Sequence, residues 1–363
     1  MDYKISVIVP VYNNEKTLDA VLDTLRAQTI GFEFLEPVFI DDCSTDGSGA
    51  KLAAFAAANP NVQVLKTPKN TGFPGGPRNL GVAAARAPYL MFLDADDGYD
   101  PDGCRALYDA MEQSGADIAG GYYQVVDLDD RSKNRDKLEA YARMKPGLYD
   151  FSAGMDAWCP IGDSMWAKIY RKAIVEAHQI RFDDYYAGDD GQFLTEYLCC
   201  CKTGVYLDAP VYRYAVHSNS FSHASSYRYL STIPFLYERL DEIVRAYGRE
   251  RYLQAYYAQF TPLDYYTERM IRELDGLDDE QLETMLGRWR FAACWCAAQS
   301  IELHSSHARI LARDLAADDL DAAVFHFREL QRLWTQRKQE LDNIFSSRTW
   351  RLARRLAKLL GRG

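Results

Sequence analysis

The stretch Tyr89-Leu90-Met91-Phe92-Leu93-Asp94-Ala95-Asp96-Asp97 is an apolar run that stops abruptly at three carboxylates. Its aromatic and bulky side chains leave no polar position to face solvent, which predicts a buried parallel strand. Ligands of open α/β sheets bind beyond the carboxyl ends of the strands, where these carboxylates would lie. They would repel one another unless a cation or a proton intervened, and hard oxygen ligands suit Mg²⁺ or Mn²⁺. Taken alone, the pattern is equally consistent with an acidic turn that ends the strand at Asp97-Gly98.

The composition is that of a globular chain large enough for two domains, with 363 residues, 48% hydrophobic and 26% charged. The net charge of -10 argues against general nucleic-acid binding, which needs a surface that neutralises phosphates. The run from Ile5 to Val11 is too short for a signal peptide, and no long uncharged run predicts a membrane span. Eight cysteines without a Cys-x-x-Cys pair predict reduced thiols in a cytosolic protein.

Three further β-branched or apolar runs predict strands of the same sheet. They cover residues 4–12, 36–40 and 62–65. The second run ends in an acidic turn and is followed by an alanine-rich helix, an order that predicts a βαβ unit with a right-handed crossover.

A glycine-rich loop follows the third run and reads Asn70-Thr71-Gly72-Phe73-Pro74-Gly75-Gly76-Pro77-Arg78-Asn79-Leu80-Gly81. Its glycines allow positive φ and close approach of the backbone to a ligand. Arg78 offers a fork of donors that suits diphosphate oxygens. A single arginine in such a place is more often an ordinary helix-surface residue, so the loop alone does not decide its role.

Taken together, four motifs in order resemble the family 2 glycosyltransferases of GT-A fold. The motifs are Val9–Glu15, Ile40–Gly47, Asn70–Gly72 with Arg78-Asn79, and Leu93–Asp97. Order and spacing are harder to match by chance than one motif, and the resemblance covers roughly the first 220 residues. It implies an α/β fold, in which a GT-A nucleotide-sugar-binding domain with a central mostly parallel sheet is followed by an α-helical C-terminal domain. The departure is Cys43, where the family usually has glycine.

The resemblance implies transfer of a sugar from a nucleotide diphosphate donor, expected to be a UDP-sugar, with inversion at the anomeric carbon. The implied donor site comprises Pro10, Tyr12, Glu15, Asp42, Asn70, Arg78, Asp94, Ala95 and Asp96. Asp42 suits a hydrogen bond from uracil N3–H, and a buried charge-assisted bond would discriminate between bases. The alternative for Asp42 is an ordinary turn with Asp46-Gly47.

The resemblance also implies a divalent cofactor, Mn²⁺ or Mg²⁺, bound by Asp94, Asp96 and Asp97. The sequence leaves open which of these carboxylates bind it. Its role would be to stabilise the departing diphosphate. His217 lies where some relatives close a loop over the diphosphate, and it is a further candidate ligand, although a lone histidine is usually neither a ligand nor a phosphate contact.

Further along the chain, Gly188-Asp189-Asp190-Gly191-Gln192-Phe193 resembles the acidic pair of the family, which is followed by an aromatic residue. On this alignment Asp190 is the catalytic base for the acceptor hydroxyl and Asp189 is its acidic neighbour. The simpler alternative is that Asp189 caps the helix that follows. Between the two acidic sites, Trp166 is expected in the core, whereas Trp158 is expected either in the core or against a sugar ring.

The sequence predicts three segments: a catalytic domain over 1–226, a helical domain over 227–345 and a basic amphipathic tail over 346–363. The helical domain either packs on the catalytic domain or forms a homo-oligomer. One of its apolar stripes at helical spacing comprises Leu320, Val324, Phe327, Leu330, Leu333 and Trp334.

The tail contains Trp350 and leucines at helical spacing, and all its charged residues from Arg348 onward are basic. This pattern suits an anionic membrane surface, at about 1 kcal/mol per basic residue. It predicts a cytoplasmic protein held at the inner face of the cell membrane. The alternative is that the tail packs against the acidic body of its own chain.

The resemblance therefore implies a metal-dependent hexosyl- or N-acetylhexosaminyltransferase that acts on a bacterial cell-surface glycan or its precursor. Two alternatives are a sugar nucleotidyltransferase and a non-catalytic scaffold with the same fold. A sugar nucleotidyltransferase typically opens with a basic, glycine-rich loop that binds triphosphate. This chain has Pro10–Glu15 in that place, which argues against that class. The joint presence of Asp42, Arg78, Asp94 and Asp190 argues against the second. The donor sugar and the acceptor depend on pocket shape, which motifs do not encode.

Overall fold

The computed structural model describes most of the chain between residues 2 and 346. The described ranges are 2–137, 144–152, 154–161, 164–184, 187–216, 227–259, 261–274 and 276–346. The candidate ligand His217 and the tail beyond residue 346 therefore lie outside the described residues. Within these ranges, no helix has both the length and the apolar character needed to cross a membrane.

Contacts divide the chain into two compact units. The first comprises Met1–Ala224 with Phe235–Gln259, and the second comprises Ser225–Pro234 with Phe260–Gly363. The three segments drawn from the sequence stay a prediction.

A nine-stranded sheet lies at the centre of the first unit. Its strands are β1 Ile5–Val11, β2 Leu35–Asp41, β3 Gln63–Lys66, β4 Tyr89–Phe92, β5 Gly98–Tyr99, β6 Ile118–Asp127, β7 Gly147–Asp150, β8 Lys168–Arg171 and β9 Thr203–Val216. The order is β3-β2-β1-β4-β8-β6-β9-β5, and β7 pairs with β9. The half formed by β3, β2, β1 and β4 is entirely parallel, and antiparallel pairing enters at β8. The predicted α/β class and central sheet are confirmed.

The helices are α1 Leu18–Arg26, α2 Ser48–Ala58, α3 Gly75–Ala84, α4 Gly103–Ser114, α5 Lys172–Ala177, α6 Asp189–Cys200, α7 Tyr227–Ala246, α8 Glu250–Gln259, α9 Pro262–Glu273, α10 Asp279–Ala298, α11 Ser306–Ala316 and α12 Leu320–Ser346. Short 3₁₀ turns occupy Phe32–Phe34, Arg131–Lys133 and Asp156–Ile161. In the described part of the chain after Val216, every regular element is a helix, which confirms the predicted helical C-terminal region.

The parallel strands bring their carboxyl ends to one edge of the sheet. β2 and β4 are buried at every position, as expected for strands covered on both faces. Val11 at the end of β1 is opposite Asp41 at the end of β2, and Ile8 of β1 is opposite Phe92 of β4. The loops that carry the four sequence motifs therefore lie at the same edge.

Two of these loops are joined side by side at that edge. The Asn13 side-chain oxygen accepts a hydrogen bond from the Thr45 amide at 2.8 Å, and Glu15 Oε2 accepts one from the Gly47 amide at 3.0 Å. Cys43 has a left-handed backbone with φ of 62°. This conformation explains why glycine is usual there, because a residue with a Cβ costs about 1–2 kcal/mol in it.

In the second unit, α12 packs through one face over its first half only. Ala323, Phe327 and Leu330 of that face are buried. Every residue from Arg332 to Ser346 is exposed, including Trp334 at 38%. The apolar stripe predicted from Leu320 to Trp334 is therefore correct up to Leu330, and its last two members are not buried.

Gly81 of α3 is a site where close packing requires glycine. A Cβ there would lie 2.6 Å from Ile8 Cγ2 and 2.7 Å from Ile40 Cδ1, in the fully buried centre of the sheet. We expect Gly81→Ala to lower the free energy of unfolding by about 1–3 kcal/mol through overpacking. Gly76→Ala is the matched control, since its Cβ would meet only Thr71 at 3.4 Å and alanine favours the helix by up to about 1 kcal/mol. Equal urea-denaturation midpoints for the two variants would contradict this assignment.

Candidate active site

One buried arginine gathers three carboxylates from distant parts of the chain. Arg78 Nη1 donates to Asp189 Oδ2 at 2.7 Å and to Asp190 Oδ1 at 2.6 Å, and Nη2 donates to Asp94 Oδ1 at 2.8 Å. The Arg78 side chain is 3% exposed, whereas Asp94 and Asp190 are 29% and 27% exposed. We call these four residues the Arg78 cluster. It has an interior cation and two carboxylates that solvent, or a ligand, can reach.

Three elements place the members of the cluster. Asp94 follows β4, and Arg78 lies in α3, whose neighbour Asn79 exchanges two hydrogen bonds with the Phe182 backbone, at 2.8 and 2.9 Å. These bonds fix α3 against the segment that leads into α6. The Cβ of an alanine at position 75 would lie 3.0 Å from the Asp183 carbonyl oxygen, so Gly75 permits this close approach.

Asp189 and Asp190 form the first turn of α6. The N-cap is Gly188, with a left-handed φ of 93°, so the alternative that Asp189 caps this helix is wrong. Negative charge is favoured at a helix N-terminus, where unpaired amides and the helix dipole face it. The backbone of α6 therefore helps Arg78 to hold both carboxylates.

Burial and charge act in opposite directions within the cluster. Burial raises the pKa of Asp189, while Arg78 opposes that rise and Asp94 adds to it. Burial disfavours the charge on Arg78, but the carboxylates of Asp190, Asp189 and Asp94 outweigh it and raise the pKa of the guanidinium. One positive charge thus faces three carboxyl groups, which leaves this part of the site electronegative.

The acidic turn after β4 is held in place by hydrogen bonds from β9. Asp97 is 5% exposed, and its two oxygens accept hydrogen bonds from the Tyr212 hydroxyl and the Ala215 amide, both at 2.7 Å. The Tyr212 oxygen in turn accepts the Asp94 amide proton at 3.2 Å, and the Ala95 carbonyl accepts from the Thr17 hydroxyl at 2.7 Å. Sequence reasoning missed Tyr212, whose only local signal is a tyrosine within a β-strand.

The donor set of this turn fits a hard divalent cation only in part. No three His, Cys, Asp or Glu side chains in the described ranges are grouped so as to hold a metal ion. Asp94 and Asp96 are partly exposed carboxylates, and Mg²⁺ is often bound by one or two carboxylates together with substrate phosphates. Burial, and then the charges of Asp94 and Asp96, raise the pKa of Asp97. The residues therefore fit a cation that is shared with a diphosphate.

Asp42 is 4% exposed and its carboxylate is surrounded by donors from a single loop. The Thr67 hydroxyl donates to it at 2.7 Å, the Thr71 amide at 3.0 Å, the Thr71 hydroxyl at 2.8 Å and the Asn70 amide group at 3.3 Å. A carboxylate has about four lone-pair sites, so this set nearly saturates it. Asp42 therefore orders the loop over 67–71, and its predicted bond to uracil stays a prediction.

The remaining predicted donor-site residues lie along the same edge. Tyr12 is 48% exposed, with its amide bonded to Asn14 Oδ1 at 3.0 Å, and Pro10 is partly buried at the end of β1. Glu15 and Asn70 are exposed, each bonded to the neighbouring loop as described above. The edge thus offers an exposed aromatic ring beside ordered loops.

The two tryptophans between the acidic sites are both buried. Trp158 is fully buried against Tyr149 and Phe151, so of its two expected positions the structure selects the core. Trp166 is stacked on Tyr212, with ring centroids 4.7 Å apart and an interplanar angle of 11°, as its expected core position requires. Trp166 thereby supports the ring whose hydroxyl holds the acidic turn.

The sequence is similar to known bacterial proteins over this unit. Residues 6–176 match the family described as glycosyl transferase family 2. Glycosyltransferase GlyA of Streptococcus pneumoniae is 28% identical over 266 residues, which are 70% of this chain and 37% of that protein. The succinoglycan biosynthesis protein ExoO of Rhizobium meliloti is 30% identical over 223 residues, 60% of this chain and 62% of that protein. The match thus spans between about a third and two thirds of these relatives.

The fold is also that of a solved glycosyltransferase. The structure of S. aureus TarS 1-349 in complex with UDP-GlcNAc aligns over 91% of this chain and 92% of that chain, with a TM-score of 0.68 and 19% identity. At this identity the likeness shows a shared GT-A fold.

Removing the central cation tests the cluster directly. We expect Arg78→Gln to lower the free energy of unfolding by about 3–5 kcal/mol at neutral pH, because it leaves buried carboxylates unpaired. Arg78 opposes the rise that burial causes in the pKa of Asp189, so its removal raises that pKa further and the folded variant binds a proton more tightly than the unfolded chain does. The loss should therefore grow as pH rises, and be larger at about pH 8 than at about pH 5.

The matched control for this measurement is Arg332→Gln, which removes an exposed pair with Glu329. That pair should contribute less than about 1 kcal/mol, with little pH dependence. Denaturant titrations of both variants at the two pH values measure the difference. A pH-independent loss for Arg78→Gln would show that the carboxylates are not what the arginine stabilises.

Proposed function

We propose that this chain, whose residues 6–176 match the family described as glycosyl transferase family 2, is an inverting glycosyltransferase. It would move a sugar from a UDP-sugar to a hydroxyl of a bacterial cell-surface glycan or its precursor. The observation that carries the proposal is the Arg78 cluster. It places the proposed base Asp190 and the acidic turn at Asp94 on the two nitrogens of a single guanidinium.

The choice of UDP rests on a solved relative as well as on the motifs. S. aureus TarS has been solved with UDP and with UDP-GlcNAc. UDP-GlcNAc is accordingly the first donor to test, and UDP-hexoses are the second. We propose that Pro10, Tyr12 and Glu15 line the base and ribose side, and that Asp42 keeps the adjoining loop ordered.

Each residue of the Arg78 cluster has its own role in the proposed single-displacement transfer of the sugar. The acceptor oxygen attacks the anomeric carbon as the bond from that carbon to the diphosphate oxygen breaks, and UDP departs. Asp190 takes the proton of the attacking hydroxyl, and its 27% exposure lets an acceptor reach it. Arg78 orients Asp190 through a 2.6 Å hydrogen bond. Asp189, almost fully buried, accepts from the same Nη1 at 2.7 Å and so anchors Arg78 beside Asp190.

The acidic turn would hold Mn²⁺ or Mg²⁺ through Asp94 and Asp96. When bound, such a cation offsets charge on the leaving diphosphate. Asp97 would act as a positioning residue for the turn, because both of its oxygens accept bonds from β9. The family resemblance also makes His217 and Asp97 candidate ligands of this cation.

The proposal places the protein in the cytoplasm, at the inner face of the cell membrane through residues 346–363. Six basic and no acidic residues from Arg348 onward support this placement. The alternative for residues 346–363 is packing against the acidic body of the same chain, and homo-oligomerisation through the helical domain over 227–345 is a separate proposal.

Replacement of the proposed base separates chemistry from binding. We expect Asp190→Asn to reduce sugar transfer by about 10²–10⁴-fold, since Asn cannot take the proton but can still accept from Arg78. Donor affinity, measured by calorimetry with UDP, should change by less than about twofold, a difference of under 1 kcal/mol. Mn²⁺-dependent UDP release from a panel of nucleotide sugars measures the turnover.

Asp184→Asn is the control, because Asp184 is a nearby but exposed acid. It should leave both quantities unchanged. Equal loss of binding and turnover in Asp190→Asn would remove Asp190 from the catalytic role. Wild-type protein that binds no nucleotide would favour the scaffold alternative.

Metal binding can be measured without turnover. We expect Asp96→Asn to weaken Mn²⁺ binding in the presence of UDP by about tenfold or more, as loss of a ligand costs at least as much as loss of an outer-shell partner. Electron paramagnetic resonance of free Mn²⁺ reports this directly. Asp100→Asn is the matched control, since Asp100 is paired with Arg213 beside the turn. Identical Mn²⁺ titrations for the wild type and Asp96→Asn would contradict the assignment of this residue.

A further inference from the structure

The second half of α12 presents an apolar face that its own bundle leaves exposed. Trp334, Leu341 and Ile344 are 38%, 50% and 52% exposed, and Leu333 and Phe345 flank them at 46% and 49%. Residues three, four and seven apart share one face of a helix, so these side chains form a single stripe. The stripe continues the face that buries Leu330 in the first half of the helix.

An exposed segment of this kind needs a partner to be stable. The 15 residues from Arg332 to Ser346 are all exposed. A helix of about that length is marginal in water on its own, and most helical stability in proteins comes from packing of an apolar face. The opposite face carries Gln336, Gln339 and Asn343, so the segment has one side for water and one for an apolar surface.

The charge of this end of the chain distinguishes between two possible partners for the exposed apolar face of α12, a second copy of the chain and a lipid surface. Residues 332–363 contain nine Lys and Arg against two Asp and Glu, a net charge of +7, which leaves -17 for residues 1–331 of a chain whose total is -10. Arg337 lies within the stripe, between Trp334 and Leu341, and Lys338 lies beside it. In a pairing of two copies, these cations would face one another across a closed seam. At a lipid surface they would reach anionic headgroups while the apolar side chains enter the acyl boundary.

We infer that the second half of α12, over Arg332 to Ser346, is a docking surface for an anionic membrane. Trp334, Leu341 and Ile344 insert, and Arg337 and Lys338 pair with lipid phosphates. The inference goes beyond the proposed transferase chemistry and does not depend on it, because binding is measured without a sugar donor.

Vesicle sedimentation of the full chain tests this surface. We expect binding to phosphatidylcholine vesicles that contain about one third phosphatidylglycerol, and little binding to phosphatidylcholine alone. The triple variant Trp334→Ser, Leu341→Ser, Ile344→Ser should lose about tenfold or more in partitioning. The matched control is Gln336→Ser, Gln339→Ser, Asn343→Ser on the opposite face, which should bind as the wild type does. All six positions are exposed, so circular dichroism and UDP release in solution should be unchanged in both variants.

Three results would overturn the inference. Equal vesicle binding by the wild type and the stripe variant would do so. If deletion of residues 347–363 abolished binding that the stripe variant retained, the tail alone would be the membrane element. Finally, wild-type protein that ignores anionic vesicles but sediments as a dimer, and becomes monomeric in the stripe variant, would assign the surface to a second copy of the chain.

Discussion

The buried guanidinium of Arg78 is the constraint on which the candidate site depends. Placing an arginine at 3% exposure carries a large desolvation cost, which the site offsets only by surrounding it with carboxylates. Those carboxylates come from the end of β4 and from the start of α6, which lies 111 residues after Arg78 in the chain. Their mutual repulsion is relieved by the same cation. Correct docking of α6 against α3 and correct ionisation of the site are therefore one requirement.

The sheet was predictable because its signals are local. Apart from Ser6, Glu36 and the terminal Asp41, the runs Ile5–Val11, Leu35–Asp41 and Tyr89–Phe92 are apolar on both faces, and a strand covered on both sides suits such a run. The point at which the apolar face of a helix stops being buried has no such local signal. Leu333 and Trp334 continue the helical period of Leu330, yet the bundle stops before them, since nothing in the spacing of one helix states where its neighbours end.

The site was predictable as a set of residues but not as a set of contacts. Motif order brought Arg78, Asp94 and Asp190 into one hypothesis, yet it did not predict that the arginine donates to both aspartates. Likewise Asp94, Asp96 and Asp97 are adjacent in sequence and looked equivalent. Their environments differ because the hydroxyl of Tyr212, in β9, donates a hydrogen bond to Asp97. Such partners depend on strand register, which a short motif does not contain.

The left-handed backbone at Cys43 also limits which residues this position accepts without strain. Most residues at that φ of 62° would be strained, and glycine alone would relieve the strain without cost. The thiol recovers part of the difference by donating to the Thr67 carbonyl at 3.2 Å, on the loop that Asp42 organises. Cys43→Gly would thus exchange a tether between two loops for a relaxed backbone, so the two residues stabilise this turn by different means.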